Sequence, residues 1–114
     1  MTIPEDNCCD CGSAGQLDGE WKVTCHGWAA MFNALGDHKI IKDGRGHNKA
    51  LGVVGAYFRV SSYRLPGVAG KYDLALVYDD NRTVDLMTHL SDDEWSGQLY
   101  RDGKYKFSFT LERA

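Results

Sequence analysis

The chain is poor in proline, with 2 in 114 residues, and has no long hydrophobic run. No apolar stretch approaches the roughly 18 residues a membrane helix needs, which argues against a helical membrane span. Basic excess is also missing: 13 Lys and Arg stand against 16 Asp and Glu, a net charge of −3. That balance argues against nucleic acid as a partner, because binding its phosphates calls for a basic footprint. Internal repeats and low-complexity blocks are absent, and with 43% apolar and 25% charged residues neither disorder nor a fibrous repeat fits. The opening residues, Met1 to Asp6, combine neither a basic segment nor an apolar one, so no secretory signal and a cytoplasmic location are expected. No Ser elbow, HExxH, GxGxxG or GxxxxGK[ST] occurs, so none of these motifs requires an enzyme, and no cofactor is expected.

Three of the four cysteines, Cys8, Cys9 and Cys11, crowd into one polar stretch, and Cys25-His26 follows the first apolar segment. Residues 1–16 are expected to be a flexible Cys-rich arm, with 17–114 forming one β-barrel domain. Cys8, Cys9, Cys11 and Cys25 are weak candidates for a zinc set, since soft thiolates suit zinc. The spacing is not a paired CxxC, however, and a disulfide to Cys25 or a plain tail of thiols accounts for it as well.

Strands are legible by period. In Lys104–Arg113 the odd positions, Tyr105, Phe107, Phe109 and Leu111, are apolar and the even ones polar, which predicts a half-buried antiparallel strand. Asp102-Gly103 ahead of it is a hairpin signal that pairs it with Trp95–Arg101. Gly19–Cys25, Lys39–Lys42, Val53–Leu65, Tyr72–Tyr78 and Thr83–Leu90 read as further strands, with Ser61-Ser62 as a bend. In the fifth of these runs Val84, Leu86 and Leu90 are expected to share the dry face, which leaves Asp85, Met87 and His89 outside. Trp28, Met31, Phe32 and Leu35 recur at helical spacing before Gly36 and predict a short amphipathic helix with that stripe in the core. Asp43–Lys49 reads as a solvated loop. The fold class is therefore all-β: an antiparallel up-and-down barrel of about eight strands, with one short helix after the first.

Gly19-Glu20-Trp21 opens the first strand and Arg113 ends the last, both on the dry parity. An inward guanidinium needs a partner, and stacking on an indole supplies one. This pairing resembles the calycin superfamily of lipocalins, fatty-acid-binding proteins and avidins. There a Gly-x-Trp on the first strand meets an Arg from the end of the last, at the closed base of the barrel. The resemblance implies a structural role for Trp21 and Arg113 and carries over no chemistry.

An eight-stranded barrel has room for side chains or one small ligand. Tyr57, Arg59, Tyr63, Tyr72 and Tyr78 combine apolar area with hydrogen-bonding tips and are the expected lining; tyrosines whose hydroxyls simply reach solvent are the plainer alternative. The expected function is binding of a small hydrophobic or amphipathic molecule. One alternative is a barrel-housed isomerase or cyclase, for which His26 and Tyr78 are weak catalytic candidates. Another is an interaction module with the barrel as scaffold. An open C-terminal strand edge would offer a route to a homodimer, which closure of the barrel removes.

Overall fold

In a computed structural model, which describes residues 16–62 and 72–114, the predicted alternation closes on itself. Cys8, Cys9, Cys11 and Tyr63 lie outside the described residues. Eight strands follow in chain order: β1 (Gly19–Cys25), β2 (His38–Lys42), β3 (Arg45–Ala50), β4 (Val53–Ser61), β5 (Leu74–Tyr78), β6 (Thr83–Ser91), β7 (Glu94–Arg101) and β8 (Lys104–Arg113). Each pairs antiparallel with its neighbour in sequence, and β1 pairs with β8 to complete a closed barrel. β8 is thus hydrogen-bonded on both sides, to β1 and to β7, so the open C-terminal edge that would have offered a route to a homodimer does not exist.

The antiparallel order gives the barrel two distinct ends. Gly19, the Asp43-Gly44 turn, the connection after Ser91 and Arg113 meet at the base. The connection after Cys25, Leu51-Gly52, the turn after Tyr78 and Asp102-Gly103 form the mouth. Asp43-Gly44, Leu51-Gly52 and Asp102-Gly103 all have positive φ at both positions, the type I′ geometry whose twist matches two paired strands.

The base is packed with apolar side chains. Trp21, Trp95, Leu111, Met87, Leu74, Leu76, Ile41 and Leu17 are all buried there or at mid-height. Each buried indole removes about 150–250 Å² from water, roughly 4–6 kcal/mol before conformational entropy is counted. Arg113 lies over Trp21 at 4.2 Å, donates to the carbonyls of Asp18 (3.0 Å) and Asp92 (3.1 Å), and pairs with Asp93 at 3.2 Å. The Trp21 indole N–H donates to Leu17 O at 2.8 Å. Gly19 stands beside this stack with φ +130, and a Cβ on it would come within 2.7 Å of Arg113 Nη1. That contact explains the glycine two residues before the tryptophan.

Three expectations need correction. The stretch 43–49 is a turn followed by β3. Its inward positions are Gly46 and Asn48, whose lack of apolar bulk hides the strand pattern; the Phe58 ring fills the space over Gly46. In β6 the parity is the reverse of the expected one: Asp85 and Met87 point inward, and His89 meets the Trp95 ring at 4.9 Å. Val84 and Leu86 instead join Tyr72, Ala75, Val77 and Tyr100 in a second apolar cluster on the outer face. Both faces of β5 and β6 are covered, so apolar character alone cannot tell inside from outside.

Finally, Gly27–Leu35 is a 3₁₀ helix, closed by Gly36 in the left-handed region. Its period of three sets Ala29, Phe32 and Leu35 on one face and Trp28 and Met31 on another. Ala29 is the residue that reaches the core, while Trp28 and Met31 are 61% and 72% exposed. The Asn33 side chain clamps the helix, accepting from Cys25 N–H at 2.7 Å and donating to Cys25 O at 3.0 Å.

Candidate functional site

Toward the mouth the packing changes character. A cavity of about 90 Å³ is lined by Val23 and Cys25 of β1, Leu99 of β7, and Phe107 and Phe109 of β8 on its apolar side. Its polar side is Lys39 of β2, Asn48 of β3, Tyr78 of β5 and Asp85 of β6, with Asp37 at the rim. Phe109 fits because β7 carries Gly97 opposite it, where any Cβ would collide with the ring.

The four polar side chains form one network. Lys39 Nζ donates to Asn48 Oδ1 at 2.7 Å and to Tyr78 Oη at 2.6 Å, and lies 3.3 Å from Asp85 Oδ2. Tyr78 donates to Asp85 Oδ2 at 2.7 Å and accepts from Asn48 Nδ2 at 3.3 Å. The rings of Phe58, Tyr78 and Phe109 surround the ammonium at 5.1, 5.3 and 5.5 Å. Lys39 thus spends all three donors, which its burial demands, since an unpaired buried charge costs several kcal/mol. Asp85 is less completely satisfied: among the described residues its second oxygen, Oδ1, is buried without a hydrogen bond.

Burial sets the protonation chemistry. It pushes the Tyr78 phenol well above its ordinary range, and the neighbouring Asp85 carboxylate pushes it further. Tyr78 is therefore a proton donor that stays neutral at physiological pH. Burial also raises Asp85, against the opposing pull of Lys39 and the Tyr78 hydrogen bond. The Cys25 thiol is raised by burial and then by Asp37, so it is a poor nucleophile at neutral pH. Asp37 is itself raised by partial burial, with Lys39 and His38 opposing.

Of the residues expected to line a pocket, the described structure brings Tyr78 to the cavity. Tyr57 is 56% exposed, because Phe58 takes the inward position of β4. Its ring lies beside His47 at 5.7 Å, on the outside. Arg59 has the parity of Tyr57 and pairs in register with Val77 of the outer cluster; Tyr72 packs into that cluster. His26 is exposed at the mouth, its Nε2 hydrogen-bonded to Thr110 Oγ1 at 2.7 Å, and does not line the cavity. Cys25 does line it, and among the described residues no group of three or more His, Cys, Asp or Glu is placed to hold a metal ion.

Sequence reasoning missed Lys39, Asn48 and Asp85. Lys39 sits on the parity of Ile41, and Asp85 on that of Met87. The unbroken apolar run Leu74-Ala-Leu-Val, a sign that both strand faces are covered, was the signal that the parity of β6 needed a second criterion.

No protein-family model matches the chain, and no curated protein matches it. Among solved structures, the crystal structure of a protein from Thermomonospora curvata is similar, with a TM-score of 0.61 at 21% identity, covering 87% of this chain and 76% of that one. At that identity the likeness shows the fold alone, a closed antiparallel barrel of eight strands.

Proposed function

We propose that the protein binds a small, partly apolar molecule in the mouth half of its barrel. The observation that carries this reading is the cavity of about 90 Å³ held between an aromatic wall and a buried polar network. A water occupies roughly 10–15 Å³ by the same kind of measure, so the cavity takes a group of several heavy atoms. Asn48, whose amide keeps a second N–H and a second lone pair, supplies the polar contact, while Val23, Leu99, Phe107 and Phe109 receive the apolar part. Kinship with the calycins belongs to the same proposal. What supports it is the closed up-and-down barrel together with Gly19, Trp21 and Arg113 stacked at its base.

The test is native mass spectrometry on freshly purified protein beside a Leu99→Trp variant, whose indole fills the cavity. A bound small molecule on the wild type and none on the variant is the expected result. A molecule retained equally by both would place it elsewhere and sink the reading.

Asp85 favours a second reading, a barrel-housed isomerase or cyclase for a small hydrophobic substrate. A buried carboxylate with a raised pKa, hydrogen-bonded to a neutral phenol, is a pair that can pass a proton. Turnover unchanged in Tyr78→Phe and Asp85→Asn would end that reading.

A further inference from the structure

The interior cavity is bounded on one side by Leu99 and Phe107, and the same two side chains wall a larger groove of about 530 Å³ at the mouth. The apolar side of this groove is Trp28 and Phe32 of the 3₁₀ helix. Trp28 stands edge-on to Phe32 at 6.0 Å and to Phe107 at 5.5 Å, and its indole N–H donates to Lys106 O at 2.9 Å. It is thus held in place while 61% exposed, a fixed indole that offers its area to whatever fills the groove.

Charge decides what that is. Three cations line the groove, Arg82, Arg101 and Lys106, against one carboxylate, Asp102. Asp102 is committed to Arg82 through two bonds, from Nε at 3.1 Å and Nη2 at 2.9 Å. Neither Arg101 nor Lys106 forms a direct ion pair with a described residue, although both feel Asp102 at longer range and Arg101 also feels Asp80. In a chain of net charge −3, cations thus outnumber carboxylates three to one in the lining of this groove.

We infer that the mouth groove seats the anionic group of an amphipathic organic acid, whose ring or short chain lies on Trp28 and reaches past Leu99 and Phe107 into the barrel. This rests on the reading that the barrel binds a small, partly apolar molecule, and it names the charge of that molecule. The anion stays at the mouth because the interior offers it no cation: Lys39 has already spent its donors on Asn48, Tyr78 and Asp85. A carboxylate drawn deeper would face Asp85. The aromatic wall favours an organic acid over inorganic phosphate, which has no apolar surface to place there.

The test is titration calorimetry with three probes of one shape: para-propylbenzoate, its neutral amide and the matching benzylamine. They are titrated into the wild type, Arg101→Gln/Lys106→Gln and Leu99→Trp. The acid is expected to bind the wild type about three- to tenfold tighter than the amide, as two exposed ion pairs would give, with the amine weakest. That preference is expected to vanish in the double variant and to shrink in about 0.5 M salt. An amide that binds as tightly as the acid, or a preference that survives the double variant, overturns the inference while the barrel reading stands. If no probe binds the wild type, or all bind Leu99→Trp equally well, the barrel reading fails and this inference fails with it.

Discussion

Tyr78 gives its phenolic hydrogen to Asp85 Oδ2 at 2.7 Å while taking one from Lys39 Nζ at 2.6 Å. One hydroxyl thus joins a buried cation to a buried anion. Three strands, β2, β5 and β6, must be in register for this contact to exist.

Breaking that pair is expected to be costly. Asp85→Asn keeps the shape but leaves the Lys39 ammonium buried beside an amide, and removing one member of a buried ion pair costs about 3–5 kcal/mol. Urea unfolding should show a loss of that order. Lys39→Met/Asp85→Leu should recover most of it, because an apolar pair suits the surrounding rings. A single variant within about 0.5 kcal/mol of wild type would mean that the network is not buried as described.

Tyr78 predicts an alkaline weakness. Its folded pKa lies above the unfolded value of about 10, so near that pH the unfolded chain releases a proton that the folded one retains. Stability contributed by the phenol is intact below pH ~10 and is lost as pH rises toward the folded pKa. Tyr78→Phe, although weaker at neutral pH, should show a shallower loss between about pH 10 and 11. Parallel curves for the two proteins in denaturant titrations would contradict the assignment.

The base makes a coupled prediction. Arg113→Lys loses the planar stack and the forked donors and should cost about 1–2 kcal/mol. Gly19→Ala is expected to cost about 1–3 kcal/mol through its positive φ, and more through collision with Arg113. In the double variant the collision is relieved, so the two losses should sum to less than their separate values. Strict additivity in thermal unfolding would show that the residues do not meet.

Leu51 points to a gain. It occupies the first position of a type I′ turn at φ +53, is 74% exposed and buries little in return. Asparagine tolerates that conformation, so Leu51→Asn should stabilise the protein by about 0.5–1 kcal/mol. A fall in melting temperature would show that Leu51 makes contacts that outweigh its strain.

Where one face of a strand is dry and the other wet, the pattern was readable. β1 follows the predicted parity, as does β8 from Phe107 to Leu111, while Tyr105, beside the register shift at Tyr100, is 53% exposed and meets the Tyr100 ring outside. Asp102-Gly103 turns the chain as expected, and the run through Leu74, Leu76 and Tyr78 points inward. β4 and β6 were misread for opposite reasons. In β4, Tyr57 and Arg59 on the outer face mask Phe58, the ring that this strand sends into the barrel. In β6 the apolar Val84 and Leu86 lie on a covered outer face while the inner face carries Asp85 and His89, so apolar character pointed to the wrong side and Asp85 read as solvated.

Period and turn chemistry alone therefore determined the strand-rich class, the meander order, and the placement of Trp21 and Arg113 on inward positions of the first and last strands. Local rules suffice there because a hairpin joins residues that are neighbours in sequence. The candidate site was decided by closure. Lys39, Asn48, Tyr78 and Asp85 come from four strands, and, Tyr78 apart, each alone looks like a charge or amide bound for water. Only when the barrel wraps them around one point do their donors and acceptors satisfy one another, and burial then becomes affordable for all four together.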